Sequence, residues 1–146
     1  MNNHQTNGLQ SLVLSNLALT VKNLDDSIEW YGNVFGFQVK RREAFTAIGA
    51  EVAFLQFADI LLEMLEIKGQ LIIPELFAKP PAHLLPVGNK ILVLKVNDLV
   101  LATRELEEKE VVFEWKNMNL TEHGLPSTMI RDLDGNFINI FQTDHI

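Results

Sequence analysis

The chain has no cysteine. That single absence excludes disulfides, thiolate metal sites, iron–sulfur clusters and cysteine nucleophiles together. Cations are scarce as well: 12 Lys and Arg stand against 19 Asp and Glu, for a net charge of -7. This is the wrong sign for a nucleic-acid partner, because phosphate binding needs a concentration of positive side chains. The one basic run, Lys40-Arg41-Arg42, is followed at once by Glu43 and reads as a solvated strand end. No stretch reaches the ~18 consecutive apolar residues of a membrane span. Residues 1–10 lack the basic start and apolar run of a secretory signal. A soluble cytoplasmic protein with no nucleic-acid or membrane partner is therefore expected. Proline is almost confined to one place: Pro74, Pro80, Pro81 and Pro86 fall between Gly69 and Gly88, a composition that interrupts both helix and sheet.

What the chain does contain is a repeat. Asn16-Leu-Ala-Leu-Thr-Val-Lys-Asn-Leu24 matches Ile91-Leu-Val-Leu-Lys-Val-Asn-Asp-Leu99, with Leu17, Leu19, Val21 and Leu24 meeting Leu92, Leu94, Val96 and Leu99. Each copy reads as a strand running into a helix cap. At 146 residues and 47% hydrophobic composition, the chain suits one compact domain made of two modules, each of which would be marginal alone. Two similar modules facing each other create a shared cleft, where function is to be sought.

The first module spans 12–67. Asn23 caps a helix predicted over 24–35, with Asp25 and Asp26 at its positive end, Leu24, Ile28, Tyr31 and Phe35 on one face, and Gly36 as terminator. Strands are predicted at 37–43, 51–58 and 60–67, which makes the module βαβββ. Residues 68–89 form the linker, with room for a brief helical turn near Glu75 to Ala78. The second module, 90–142, repeats the order. It has a strand at 90–96, a helix capped by Asp98 with Leu99, Thr103 and Leu106 inward, a strand at 111–116, and a hairpin of 127–131 with 136–142 turning at Asp132-Leu-Asp-Gly135. Of the histidines, His4 and His145 sit near the ends, His83 in the linker and His123 in a loop. With no helical or alternate-residue pairing between them, all four are expected in exposed or loop positions.

The run Leu17 to Phe37, with its Trp30-Tyr31-Gly-Asn-Val-Phe35, and the run Arg131-Asp-Leu-Asp-Gly-Asn-Phe-Ile-Asn-Ile-Phe141 resemble the vicinal oxygen chelate superfamily. That superfamily includes glyoxalase I, extradiol dioxygenases, fosfomycin resistance enzymes and bleomycin resistance proteins. The resemblance implies an α+β fold in which two βαβββ modules form a curved, barrel-like mixed sheet around the shared cleft. It also implies a homodimer, since a complete cleft in this family is often built from modules of two chains. Metal-dependent members take two ligands per module, one from the first strand and one from the last, usually His and Glu. The matching positions here are Asn16, Glu63, Ile91 and Asn139. Only Glu63 is a strong donor, so no metal and no other cofactor is expected.

Strand alternation from those positions gives an inner surface of Asn16, Ala18 and Thr20; Leu61, Glu63 and Leu65; Ile91, Val93 and Lys95; and Phe137, Asn139 and Phe141. The ligand-binding set is taken as Asn16, Ala18, Leu61, Glu63, Leu65, Ile91, Val93, Phe137, Asn139 and Phe141. A carboxylate at Glu63 needs a partner if buried, and the amides of Asn16 and Asn139 are the nearest candidates. The expected function is sequestration of a partly apolar small organic molecule, in the manner of the bleomycin resistance proteins. Two alternatives stand beside it. One is a lyase, isomerase or dioxygenase using an unusual metal or Glu63 as base, for which no nucleophile or oxyanion donor is legible. The other is an interaction module whose cleft is filled by side chains.

Overall fold

The computed structural model describes residues 8–145. The first module contains β1 (Leu17–Thr20), α1 (Leu24–Phe35), β2 (Gln38–Phe45), β3 (Ala50–Phe57) and β4 (Ile60–Ile67). The second contains β5 (Ile91–Val96), α2 (Leu99–Glu108), β6 (Val112–Asn119), β7 (Pro126–Arg131) and β8 (Phe137–Gln142). Each module is a four-stranded mixed sheet. The orders are β1-β4-β3-β2 and β5-β8-β7-β6, with one parallel pair in each, β1 with β4 and β5 with β8. This is the α+β architecture of paired βαβββ modules; the two sheets remain separate ladders and do not close into a barrel.

Local chemistry explains the helices. Asn23 Oδ1 accepts from the Asp26 N–H at 2.9 Å, and Asp98 Oδ1 accepts from the Leu101 N–H at 2.9 Å, so both helices begin on a side-chain cap. A second cap comes from the sheet. The Leu24 N–H donates to Glu66 Oε2 and the Leu99 N–H to Gln142 Oε1, each at 2.8 Å. Glu66 and Gln142 occupy equivalent places in the two modules, so the duplication extends to a long-range hydrogen bond. α1 ends at Gly36, whose φ of 89° lies in the left-handed region that a side chain disfavours.

Both helices pack on the same side of their sheets, and the two modules share one core. Leu24, Tyr31, Leu55, Leu62 and Met64 of the first join Leu99, Leu106, Ile130, Ile138 and Ile140 of the second. On α2 the buried residues are Leu99, Thr103 and Leu106. On α1 they are Leu24, Ser27 and Tyr31, while Ile28 and Phe35 are only partly buried. The sheet faces turned away from the helices carry the residues predicted for the cleft.

Candidate functional site

The strand register makes the two halves of the predicted site strictly comparable. Ala18 lies opposite Glu63 in the parallel β1–β4 pair, and Val93 lies opposite Asn139 in the β5–β8 pair. Asn16 and Glu63 in the first module thus correspond to Ile91 and Asn139 in the second. Equivalent positions have met different fates.

In the first module the face stays open. Asn16 Nδ2 donates to Glu63 Oε2 at 2.9 Å, and Asn16 Oδ1 is taken up by the Ser15 hydroxyl at 2.8 Å. The carboxylate is half-buried and satisfied by one of the two amides expected to reach it. Leu61 borders a shallow hollow with Lys40, Arg41 and Phe54. Ala18 faces a narrow gap toward Ile91 and Phe137 of the other module, and Leu65 lies opposite Thr20 and Val52.

In the second module the same face is covered by residues 74–85 of the linker, which fold back over it as a strap of two single helical turns, Pro74–Phe77 and Ala82–Leu84. The strap is fastened through Arg131. Its Nη1 donates to the Phe77 carbonyl at 3.0 Å and to the Gly135 carbonyl at 3.2 Å, and its Nε donates to Glu114 Oε1 at 2.5 Å. Gly135 has a φ of 96°, and a Cβ there would meet the Phe77 ring at 3.3 Å. Glycine thus permits both the hairpin turn and the seat of the strap.

Under the strap the expectation for His83 is corrected. Far from being exposed, it is 3% exposed and its ring centroid lies 4.4 Å from that of Phe137. Arg131 also stacks on Phe137, at 4.2 Å. Burial, with the nearby charges of Arg131 and Lys90, pushes the imidazole pKa down from its ordinary value, so at neutral pH the ring is an uncharged donor and acceptor. Nothing in the sequence around His83 marks it; only its destination does. His4 and the side chain of His145 lie outside the described residues.

Between strap and sheet lies a groove of about 650 Å³, walled by Ile91, Trp115, Met118, Leu120 and Met129 and reached by His83 and Asn139. Asn139 is 6% exposed, and its Oδ1, like both ring nitrogens of His83, has no hydrogen-bond partner among the described residues. Among the described residues the Glu63 carboxylate accepts from Asn16 and not from Asn139. Asn139 belongs to a separate, apolar groove with two unmet polar side chains. Of the other predicted residues, Phe137 is buried beneath this cover and Phe141 is buried as well, whereas Val93 is exposed. Trp115, Met118, Met129 and His83 were not singled out as site residues, because their inward sides depend on β-bulges in β6 and on the path of the linker.

The residues at the four family positions do not fit a divalent transition metal. Ile91 has no donor atom, and the Asn16 amide presents its nitrogen to Glu63 while its oxygen is engaged elsewhere. Among the described residues no three His, Cys, Asp or Glu side chains cluster as ligands. The Asn16–Glu63 pair, with the Ser15 hydroxyl on the Asn16 amide, can orient a polar group.

Paired βαβββ modules with a ligand-sized groove against one inner face define a class of protein by themselves. The chain belongs to the Glyoxalase/Bleomycin resistance protein/Dioxygenase superfamily, whose family model matches residues 13–140. Among curated proteins none matches. Solved structures carry the likeness at the level of fold. The glyoxalase family protein from Enterococcus faecalis superimposes with a TM-score of 0.76 at 17% identity, covering 92% of this chain and 100% of that one. The trypanothione-dependent glyoxalase I of Leishmania major gives 0.65 at 17%, covering 88% and 85%. TioX from Micromonospora sp. ML1 gives 0.62 at 18%, covering 90% and 99%. No helix among the described residues is long and apolar enough to cross a membrane.

Proposed function

We propose that this chain is a small-molecule-binding member of its superfamily, and that it holds a partly apolar organic ligand between the strap and the second sheet. The observation that carries the reading is the groove under the strap, where aromatic and methionine walls surround His83 and Asn139, both buried and both with unmet hydrogen-bonding atoms. An unpaired buried polar group costs roughly 1–3 kcal/mol. A closed core would exclude such groups, whereas a ligand site needs a few polar atoms converging on an apolar wall. This assigns the ligand to Ile91 and Asn139 of the expected set, and leaves Glu63 outside the groove.

The test is titration of the purified protein with a library of aromatic and aliphatic organic molecules, followed by Trp115 fluorescence and by amide chemical shifts. Saturable binding with shifts grouped on residues 79–84, 114–120 and 139 supports the reading. Binding confined to β1 and β4, around Glu63, overturns it.

We propose also that the chain forms a homodimer. Leu12, Val13 and Leu14 are 79%, 82% and 93% exposed, and Leu71, Ile72, Leu85 and Val87 are exposed as well. Apolar surface of this extent supports burial against a second copy. Light scattering giving twice the chain mass supports it, and a concentration-independent monomer mass refutes it.

A further inference from the structure

The groove under the strap has a charge imbalance that narrows its ligand. Lys79 stands at its rim. Arg131 and Lys90 act on the His83 ring as positive charges and Glu114 as the one negative charge. Glu114 is spent on Arg131, to which it is bound at 2.5 Å with both side chains largely buried. What remains is net positive: Lys79 exposed at the mouth, and Lys90, which lies outside the groove wall but acts on the ring, its Nζ buried without a hydrogen-bond partner among the described residues. A buried ammonium without a counter-charge is expensive. The walls, by contrast, are apolar and broad. Met118 and Met129 are soft and adaptable, and the Trp115 ring is held in place by its Nε1 donating to the Ser127 hydroxyl at 2.8 Å.

We infer that the occupant of this groove is an amphipathic organic anion, with a flat apolar body against Trp115, Met118 and Met129 and a single carboxylate directed at His83. The inference rests on the proposed ligand-binding reading and deepens it. A carboxylate accepts the hydrogen bond that the neutral imidazole N–H has to give. It also neutralises the surplus charge around the ring, which an uncharged ligand leaves in place. Once the anion is seated, it favours a second proton on the ring, so anion affinity and His83 protonation reinforce each other. The charged groups facing the ring set the direction: Lys90 and Arg131 oppose that proton and Glu114 supports it, so the bound carboxylate tips a balance that is otherwise held against the charged ring.

The test uses the full chain and a panel of arylalkanoic acids, from phenylacetate to naphthylbutyrate, each measured by calorimetry beside its own primary amide. The acids are expected to bind tighter than the matching amides by roughly tenfold to a hundredfold, the range of a charge-assisted hydrogen bond. Their affinity should rise relative to that of the amides as the pH falls toward the His83 transition. His83→Phe and Lys90→Met should each remove the preference for the acids, with a cooperative thermal melt showing that the variants fold. Acids and amides of equal affinity, or a preference untouched by both substitutions, overturn the anion and leave the ligand-binding groove standing. If no member of the panel or of the wider library binds, both readings fall.

Discussion

The hydroxyl of Tyr31 donates a 2.7 Å hydrogen bond to Asp132 Oδ2, joining the helix of the first module to the final hairpin of the second. Both groups are buried. Asp132 also accepts from the Asp134 and Asn136 N–H groups and from Asn136 Nδ2, so the turn is organised around one carboxylate. Nearby, the Lys22 N–H donates to Asp134 Oδ2 at 3.0 Å. Burial and the charge of Asp132 push the Tyr31 phenol far up, which keeps it protonated as a donor. This contact ties the two modules together through α1 and the β7–β8 turn.

Tyr31→Phe should destabilise the chain by about 1.5–3 kcal/mol, the cost of losing a buried hydrogen bond to a charged acceptor. Urea denaturation checks this, with the slope unchanged. A loss below the noise of the measurement would show that the hairpin turn holds Asp132 without the helix.

Burial, the largest influence on Asp132, raises its pKa above the ordinary carboxylate value. The folded chain therefore binds this proton more tightly than the unfolded chain does. The resulting stabilisation is present below the unfolded pKa and is lost as pH rises through the folded one. Asp132→Asn should remove this component from the stability profile in the acid range, as seen by comparing denaturation midpoints of variant and parent across pH. An unchanged profile would place the raised pKa elsewhere.

His83 works in the opposite sense. Its pKa is lowered, chiefly by burial, so its contribution to stability is present above the unfolded histidine value and declines as pH falls through the folded one. The strap should loosen on acidification, with amide hydrogen exchange of residues 82–85 accelerating relative to the intrinsic rate at each pH. His83→Phe should make that protection independent of pH over the same range.

Asn139→Leu should raise stability by roughly 1 kcal/mol, because it replaces an unmet buried acceptor with apolar volume, and it should abolish ligand binding under the strap. A thermal melt and a titration on the same sample measure both. A lower melting temperature would mean that the amide is satisfied within the fold.

Glu63→Gln should change stability by less than about 1 kcal/mol, since the pair with Asn16 is half-exposed and the amide can still accept from it. Ligand affinity at the groove should stay the same. A loss of binding would return Glu63 to the functional account.

The sequence by itself determined the two modules, their helix caps and the alternation that separates core from inner face. Asn23, Asp98, Gly36 and the matched leucines act on neighbours a few residues away, so their physics is written in local order. It also determined that Ile91 offers a metal no donor and Asn139 only a weak neutral one, because that follows from side-chain chemistry alone. Tertiary structure decided the rest. The segment 68–89 has no hydrophobic period, and its prolines specify only what it cannot form. Its return across the second sheet is fixed by contacts made more than fifty residues away in sequence, such as Arg131 to the Phe77 carbonyl and His83 to Phe137. For the same reason Glu63 and Asn139, equivalent by register, differ in environment: one face received a cover and the other did not, and only packing between distant parts of the chain could choose which.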